Sequence, residues 1–192
     1  MPITYTNAKG KTSYLHQGTT KTGKPKYYFS MENNGVLAEA IPEGFEFYEN
    51  PNAQVFLRRI PPKIITDEER QVVGDGMRTY AEVQDYKIDV KGNAIVVYTA
   101  DQDIETLAGL FKDMSPDPTT NPHLMTLLRN EIHYSPMLQF LLEDAQRRLF
   151  TAQRYCFVGS IDDWIAIGHG SLSTLVKRYV KHLGQESCFD LY

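Results

Sequence analysis

Residues 135–149, Ser135-Pro136-Met137-Leu138-Gln139-Phe140-Leu141-Leu142-Glu143-Asp144-Ala145-Gln146-Arg147-Arg148-Leu149, carry the most regular apolar pattern in the chain. How they are read sets the balance of helix and strand. A proline directly after a serine suits the first turn of a helix, where its missing N–H costs nothing. Met137, Leu138, Leu141, Leu142, Ala145 and Leu149 then share one face at helical spacing. Glu143 with Arg147 and Asp144 with Arg148 stand four apart, the spacing of helix-stabilising ion pairs. The pattern predicts a helix restarting at Ser135-Pro136, the best formed in the chain.

Upstream, Asn121-Pro122 reads as the cap and first residue of another helix. Ile104, Leu107, Ala108 and Phe111 mark a third from about Asp103 to Lys112, ended by Ser115-Pro116-Asp117-Pro118. Thr66 with Glu69 forms a capping box for a helix reaching about Val83, striped by Val72, Val73, Met77 and Tyr80 and weakened by Gly74 and Gly76. Between these, Tyr86, Ile88 and Val90 alternate with polar residues up to the Gly92-Asn93 turn, and Ala94–Thr99 returns, which is a β-hairpin. Downstream, Tyr155–Val158 reads as a buried strand ending at Gly159. Leu172, Leu175, Val176, Tyr179, Val180 and Leu183 hold helical spacing, with Ser171 as cap and Gly184 just past the end.

Two prolines in Arg58-Arg59-Ile60-Pro61-Pro62-Lys63 forbid helix and remove ladder donors, which places a boundary there. Before it, Thr4–Thr6, Thr12–His16, Lys26–Ser30, Phe45–Glu49 and Gln54–Arg58 are short runs rich in Tyr, Phe, Thr and Val between turn signals. The expected fold class is α+β. A small basic antiparallel β module over 1–60 precedes an acidic α+β domain over 64–192, built of a β-hairpin, further strands and about five helices.

Charge follows the same division. Residues 1–31 hold Lys9, Lys11, Lys21, Lys24 and Lys26 and no acid, so this segment is +5 in a chain of net charge −4. Lysines spread over loops suit first the solvated edges of a small sheet; interleaved with Tyr5, Tyr14, Tyr27, Tyr28 and Phe29 they are also the mixture that holds single-stranded nucleic acid through stacking and phosphate neutralisation. Strand alternation puts Tyr27 and Phe29 on one face and Tyr28 on the other.

With 192 residues, 42% apolar and 23% charged, the composition excludes disordered, collagenous and disulfide-stapled classes. Cys156 and Cys188 lie far apart and read as free thiols of a reducing compartment. The first residues lack a signal-peptide pattern. The longest apolar-leaning stretch, Trp164–Val176, is broken by Gly168, His169, Gly170 and Ser171. The expectation is a cytoplasmic protein with no membrane span.

Several motifs begin and then fail. Gly18-Thr19-Thr20-Lys21-Thr22-Gly23-Lys24 opens like a phosphate-binding loop, but Pro25 stands where Ser or Thr meets magnesium, and a strand pattern follows where a helix is needed. Asp101-Gln102-Asp103 opens like a calcium loop, but Thr106 and Lys112 occupy the positions of its Gly and bidentate Glu. Asp89-Val90-Lys91 matches half of a nuclease core, yet Asp85-Tyr86-Lys87 repeats the tripeptide nearby. The histidines His16, His123, His133, His169 and His182 lack metal-ligand spacing. Pairing of Cys156 with His169 stays open, as does a spatial cluster of His123, His133, Asp162, Asp163 and His169.

Gly159-Ser160-Ile161-Asp162-Asp163-Trp164-Ile165 holds the only tryptophan beside two carboxylates. One reading is a binding loop anchored by Trp164, with Asp162 or Asp163 as acceptor. The other is a turn in which Asp162 caps the backbone and Trp164 plugs the core beside Ile161, Ile165 and Ile167. The apolar neighbours favour the second.

Tyr14-Leu15-His16, Lys26-Tyr27-Tyr28-Phe29 and Ala40-Ile41-Pro42-Glu43-Gly44-Phe45-Glu46, followed by Glu49-Asn50, resemble a small N-terminal module of uncharacterised bacterial proteins. The resemblance covers about the first third of the chain. It implies a bacterial origin and assigns no activity.

Three function classes remain. The leading one is a non-enzymatic binding protein whose loops at Lys9, Lys11, Lys21, Lys24 and Lys26 meet nucleic acid or an acidic protein partner, with Tyr28, Asp162, Asp163 and Trp164 as further candidates. The second is a metal-dependent hydrolase or nuclease using Asp89, Lys91, Asp162, Asp163 and a histidine. The third is a protein–protein module with an apolar patch near Trp164 or Phe189-Asp190-Leu191-Tyr192. The sequence implies no cofactor.

Overall fold

The structure, a computed structural model, describes residues 1–109, 121–158 and 161–191. The chain divides into two compact units, Met1–Pro62 and Lys63–Tyr192. In the first, β1 (Thr4–Thr6), β2 (Thr12–Thr19) and β3 (Pro25–Ser30) form an antiparallel sheet in that order, and β4 (Phe45–Glu49) pairs with β5 (Val55–Arg59). Phe47 of β4 meets Tyr5 and Phe29 edge-on, with ring centroids 5.5 and 5.4 Å away. This aromatic contact joins hairpin to sheet. The turns lock together too, because Asn7 Nδ2 donates to the Ala53 carbonyl at 2.7 Å.

The second unit begins with α1 (Asp67–Tyr80), capped by the reciprocal Thr66–Glu69 box. Five strands follow: β6 (Tyr86–Lys91), β7 (Ala94–Ala100), β8 (Tyr134–Asp144), β9 (Leu149–Val158) and β10 (Ile161–Ser171). Each pairs antiparallel with its sequence neighbour, so the order β10-β9-β8-β7-β6 is a meander. Two short helices, α2 (Ile104–Gly109) and α3 (Pro122–Glu131), lie between β7 and β8 in the sequence, and α4 (Leu172–Tyr179) follows β10, continued by a 3-10 turn at Val180–His182. Asn121 Oδ1 caps α3 by accepting from the amides of His123 and Leu124. No described helix is long and apolar enough to cross a membrane.

The architecture is mixed, antiparallel strands with helices, but the helix expected from Ser135-Pro136 is not there. Residues 134–144 are strand β8, and the described residues contain four α-helices where about five were expected. The reason is position in the sheet. β8 is the central strand, flanked by β7 and β9, with apolar neighbours on both faces, and such strands read as near-continuous apolar runs that periodicity alone does not separate from helix. The expected i,i+4 ion pairs are replaced. Asp144 Oδ1 accepts from the amides of Gln146 and Arg147 to make the β8–β9 turn. Arg148, at φ +52°, turns away to pair with Glu69 of α1. The expected turn around Asp162–Ile165 is likewise the start of strand β10. Residues 110–112 and 115–118, assigned above to a helix end and loop, and Gly159 and Ser160 lie outside the described residues.

One face of the meander carries the main core. Ile95, Val97, Leu138, Phe140, Leu142, Phe150 and Ala152 pack there against Val73 and Met77 of α1 and Leu172, Leu175, Val176 and Tyr179 of α4. Close approach depends on two glycines. A Cβ on Gly76 would run into Val176, and one on Gly168 would meet the Tyr179 ring at 2.9 Å.

Candidate binding surfaces

The β2–β3 hairpin gathers the basic candidates. Its turn is closed by Thr20 N–H donating to the Lys24 carbonyl and Gly23 N–H donating to the Thr20 carbonyl, which puts Lys21 and Lys24 at the exposed tip. The register places His16 opposite Tyr28 and Gly18 opposite Lys26. These residues share one face. The Tyr28 ring stacks on the His16 ring at 5.1 Å and 14°, and Lys26 Nζ lies 5.6 Å from the Tyr28 centroid. His16 is buried and fixed by its Nε2–H donating to the Glu32 carbonyl at 2.9 Å, whereas Tyr28 is 46% exposed. A rigid aromatic platform thus stands beside a cation, with two more cations at the tip. Tyr27 and Phe29 point to the opposite face, where Phe29 meets Phe47.

The turn also settles the phosphate-loop resemblance, since Gly18–Lys24 runs from strand into strand with no helix to face an anion. Lys9 and Lys11 lie on the β1–β2 turn, where Asn7 Oδ1 accepts from both of their amides.

Trp164 stands on β10 opposite Tyr155 of β9, the two rings edge-on at 5.1 Å. Tyr155 also meets Phe157 at 4.7 Å, and Phe157 is 50% exposed. This cluster lies on the face of the meander away from α1 and α4. Farther along the same face, Gln139 donates to Gln153 across the strands, and His169 Nδ1 lies 3.2 Å from Thr151 Oγ1 and 3.4 Å from Glu143. Toward the opposite edge, Lys87 and Lys91 lie over the rings of Tyr134 and Tyr98. Burial, with the nearby Asp85 charge, pushes the Tyr134 phenol above its ordinary pKa.

The carboxylates and histidines named from the sequence do not converge. Asp89 and Lys91 are on β6 and Asp162 and Asp163 on β10, the two edges of the sheet, about 19 Å apart at the usual strand spacing. Asp162 and Asp163, adjacent in a strand, project to opposite faces, and Asp163 accepts from the Trp164 amide at 2.7 Å. His169 is seven residues farther along β10, about 23 Å at strand rise. His133 Nδ1 instead pairs with Asp101 at 2.8 Å. Asp103 Oδ2 accepts from Thr106 at the head of α2, the capping role that the failed calcium loop leaves it. Cys156 is buried on the helix side, opposite in strand parity to Thr151 and His169, so the sheet separates thiol from imidazole. Among the described residues, no group of three or more His, Cys, Asp and Glu side chains is placed to hold a metal ion.

Sequence reasoning missed two groupings. His16 underlies Tyr28 because of the β2–β3 register, and Tyr155 and Phe157 join Trp164 because β9 and β10 form a hairpin. Both follow from strand alternation once the turn is known, and neither turn length is evident beforehand. Comparison with protein-family models, curated proteins and solved structures finds no match.

Proposed function

We propose that the protein is a non-enzymatic binding protein whose β2–β3 hairpin holds single-stranded nucleic acid. One observation carries the reading: a half-exposed Tyr28 ring, backed by the immobilised His16 ring, lies beside Lys26 on the hairpin whose tip bears Lys21 and Lys24. A base stacks on the ring, and the lysines neutralise neighbouring phosphates. Stacking of this kind contributes about 1–3 kcal/mol per base and tolerates any sequence.

Fluorescence anisotropy with labelled single- and double-stranded oligonucleotides, at low and physiological salt, tests it. The full chain should bind single strands in a salt-sensitive way. Replacing Lys21, Lys24 and Lys26 by Ala should weaken binding and flatten the log–log salt slope by about 2, at roughly 0.7 per lost phosphate contact. Tyr28→Ala should weaken binding and leave the slope unchanged. A triple variant that binds like wild type rejects the reading, and equal binding to polyglutamate replaces nucleic acid by an acidic protein.

A second reading, contact with an apolar protein surface through Phe157, Tyr155 and Trp164, is favoured by the exposure of Phe157. It predicts a change in Trp164 emission on partner binding that Phe157→Ala abolishes.

A further inference from the structure

The second unit distributes its charge unevenly. Residues 63–192 contain more acids than bases, yet 164–185 contain no Asp or Glu at all. Lys177, Arg178 and Lys181 fall in this stretch, on the end of α4 and the 3-10 turn that continues it. With Tyr80, Ser173 and Thr174 they line an open groove of about 570 Å³ between the C-terminal end of α1 and the outer side of α4. All three cations are exposed, and among the described residues none of them forms an ion pair. The helix dipole accounts for cations in a last turn, but not for their convergence with two hydroxyls and a 41%-exposed aromatic ring.

We propose that this groove binds the sugar–phosphate backbone of a nucleic-acid strand. The inference rests on the nucleic-acid reading of the β2–β3 hairpin for the class of ligand, and assigns that ligand a separate site on the second unit. Lys177 in the last turn of α4 and Lys181 in the 3-10 turn that continues it stand on successive turns, about 7 Å apart along the axis, and meet successive phosphates. Arg178 supplies the planar fork that grips one phosphate through two N–H donors. The Ser173 and Thr174 hydroxyls donate to phosphate oxygens, and the Tyr80 ring offers a face for a base. An acidic polypeptide satisfies the cations but leaves the ring without a role, which is why the nucleic acid is preferred.

The test uses the full chain and a labelled single-stranded oligonucleotide, titrated across a salt series, with polyglutamate of similar length as the second ligand. Lys177→Gln combined with Lys181→Gln should bind the oligonucleotide about ten-fold more weakly at low salt, with a salt slope lowered by about 1.4. Tyr80→Leu should weaken binding a few-fold at unchanged slope. Thermal melts of the double variant should fall within a few degrees of wild type, since both lysines are exposed and outside the ion pairs and lose only a helix-dipole contribution, so a ten-fold change reads binding and not folding. A double variant with wild-type affinity and slope, alongside a hairpin variant that loses affinity, overturns the groove and keeps the hairpin. The reverse pattern keeps the groove and overturns the hairpin. Polyglutamate bound as tightly, and losing affinity in the same double variant, overturns the assignment of ligand class, and a wild-type chain that ignores the oligonucleotide at low salt overturns both sites.

Discussion

The two faces of the five-stranded meander are written in alternate residues of the same strands and use different chemistry. Toward α1 and α4 stand Ile95, Val97, Leu138, Phe140, Leu142 and Phe150, with glycine where a helix or the Tyr179 ring comes close. Toward the other side stand Val96, Tyr98, Gln139, Gln153, Tyr155 and Trp164, whose amides pair with each other and whose rings meet edge-on. The first set suits dense packing with no polar atom to satisfy. The second pairs its two glutamine side chains with each other, sets the Tyr155 and Trp164 rings edge-on, and ends in the half-exposed Phe157.

That contrast breaks most visibly in the centre. Phe140→Ala, at a fully buried position under the helices, should cost about 3–5 kcal/mol. Denaturant unfolding followed by the fluorescence of Trp164, the single tryptophan, reads this loss within the second unit. Gly168→Ala and Gly76→Ala should each cost about 1–3 kcal/mol, because the added methyl meets Tyr179 or Val176 inside a packed layer. Losses below about 0.5 kcal/mol at both would mean that the helices ride more loosely than the contacts imply. On the other face Tyr155→Ala, followed by far-UV circular dichroism, should cost about 1–3 kcal/mol, at about 0.5–1.5 for each of its two ring contacts. A cost there equal to that of Phe140→Ala would erase the distinction between the faces.

The sequence disclosed features that are local. Thr66 and Glu69 announce α1 because a capping box closes within four residues, and the β6–β7 hairpin shows because Gly92, at φ +60°, sits between an alternating run and an apolar one. β8 was hidden because its neighbours are chosen by strand order, a long-range property, so its apolar run satisfies a helical template equally well. Gly76, read as a helix defect, is a packing device once α4 is in place, because a Cβ there would run into Val176. For the same reason Lys26 and Tyr28 fall on one face by simple alternation, whereas the His16 beneath them needs the hairpin register. The separation of Asp89 from Asp162 needs the order of all five strands.

The smallest expected effect lies at the rim of the helix-covered face, where Glu69 ties α1 to the β8–β9 turn. Burial works to raise the Glu69 pKa, but the Arg148 guanidinium, donating from Nε at 2.8 Å and from a second nitrogen, and the Thr66 amide outweigh it and hold the carboxyl below its ordinary value of 4.5. A depressed folded-state pKa means the stabilisation is fully present above the unfolded value near 4.5 and is lost as pH falls through the folded one. Because Arg148 is about a third exposed, solvent screening keeps the contribution below about 1 kcal/mol. Glu69→Gln isolates the charge, since Gln also closes a capping box. Wild type and variant should therefore differ by a constant amount above about pH 5.5 and converge below the depressed pKa. A difference that persists unchanged into strong acid would assign the contact to hydrogen bonding and packing, making this rim an extension of the apolar face and not an electrostatic border to it.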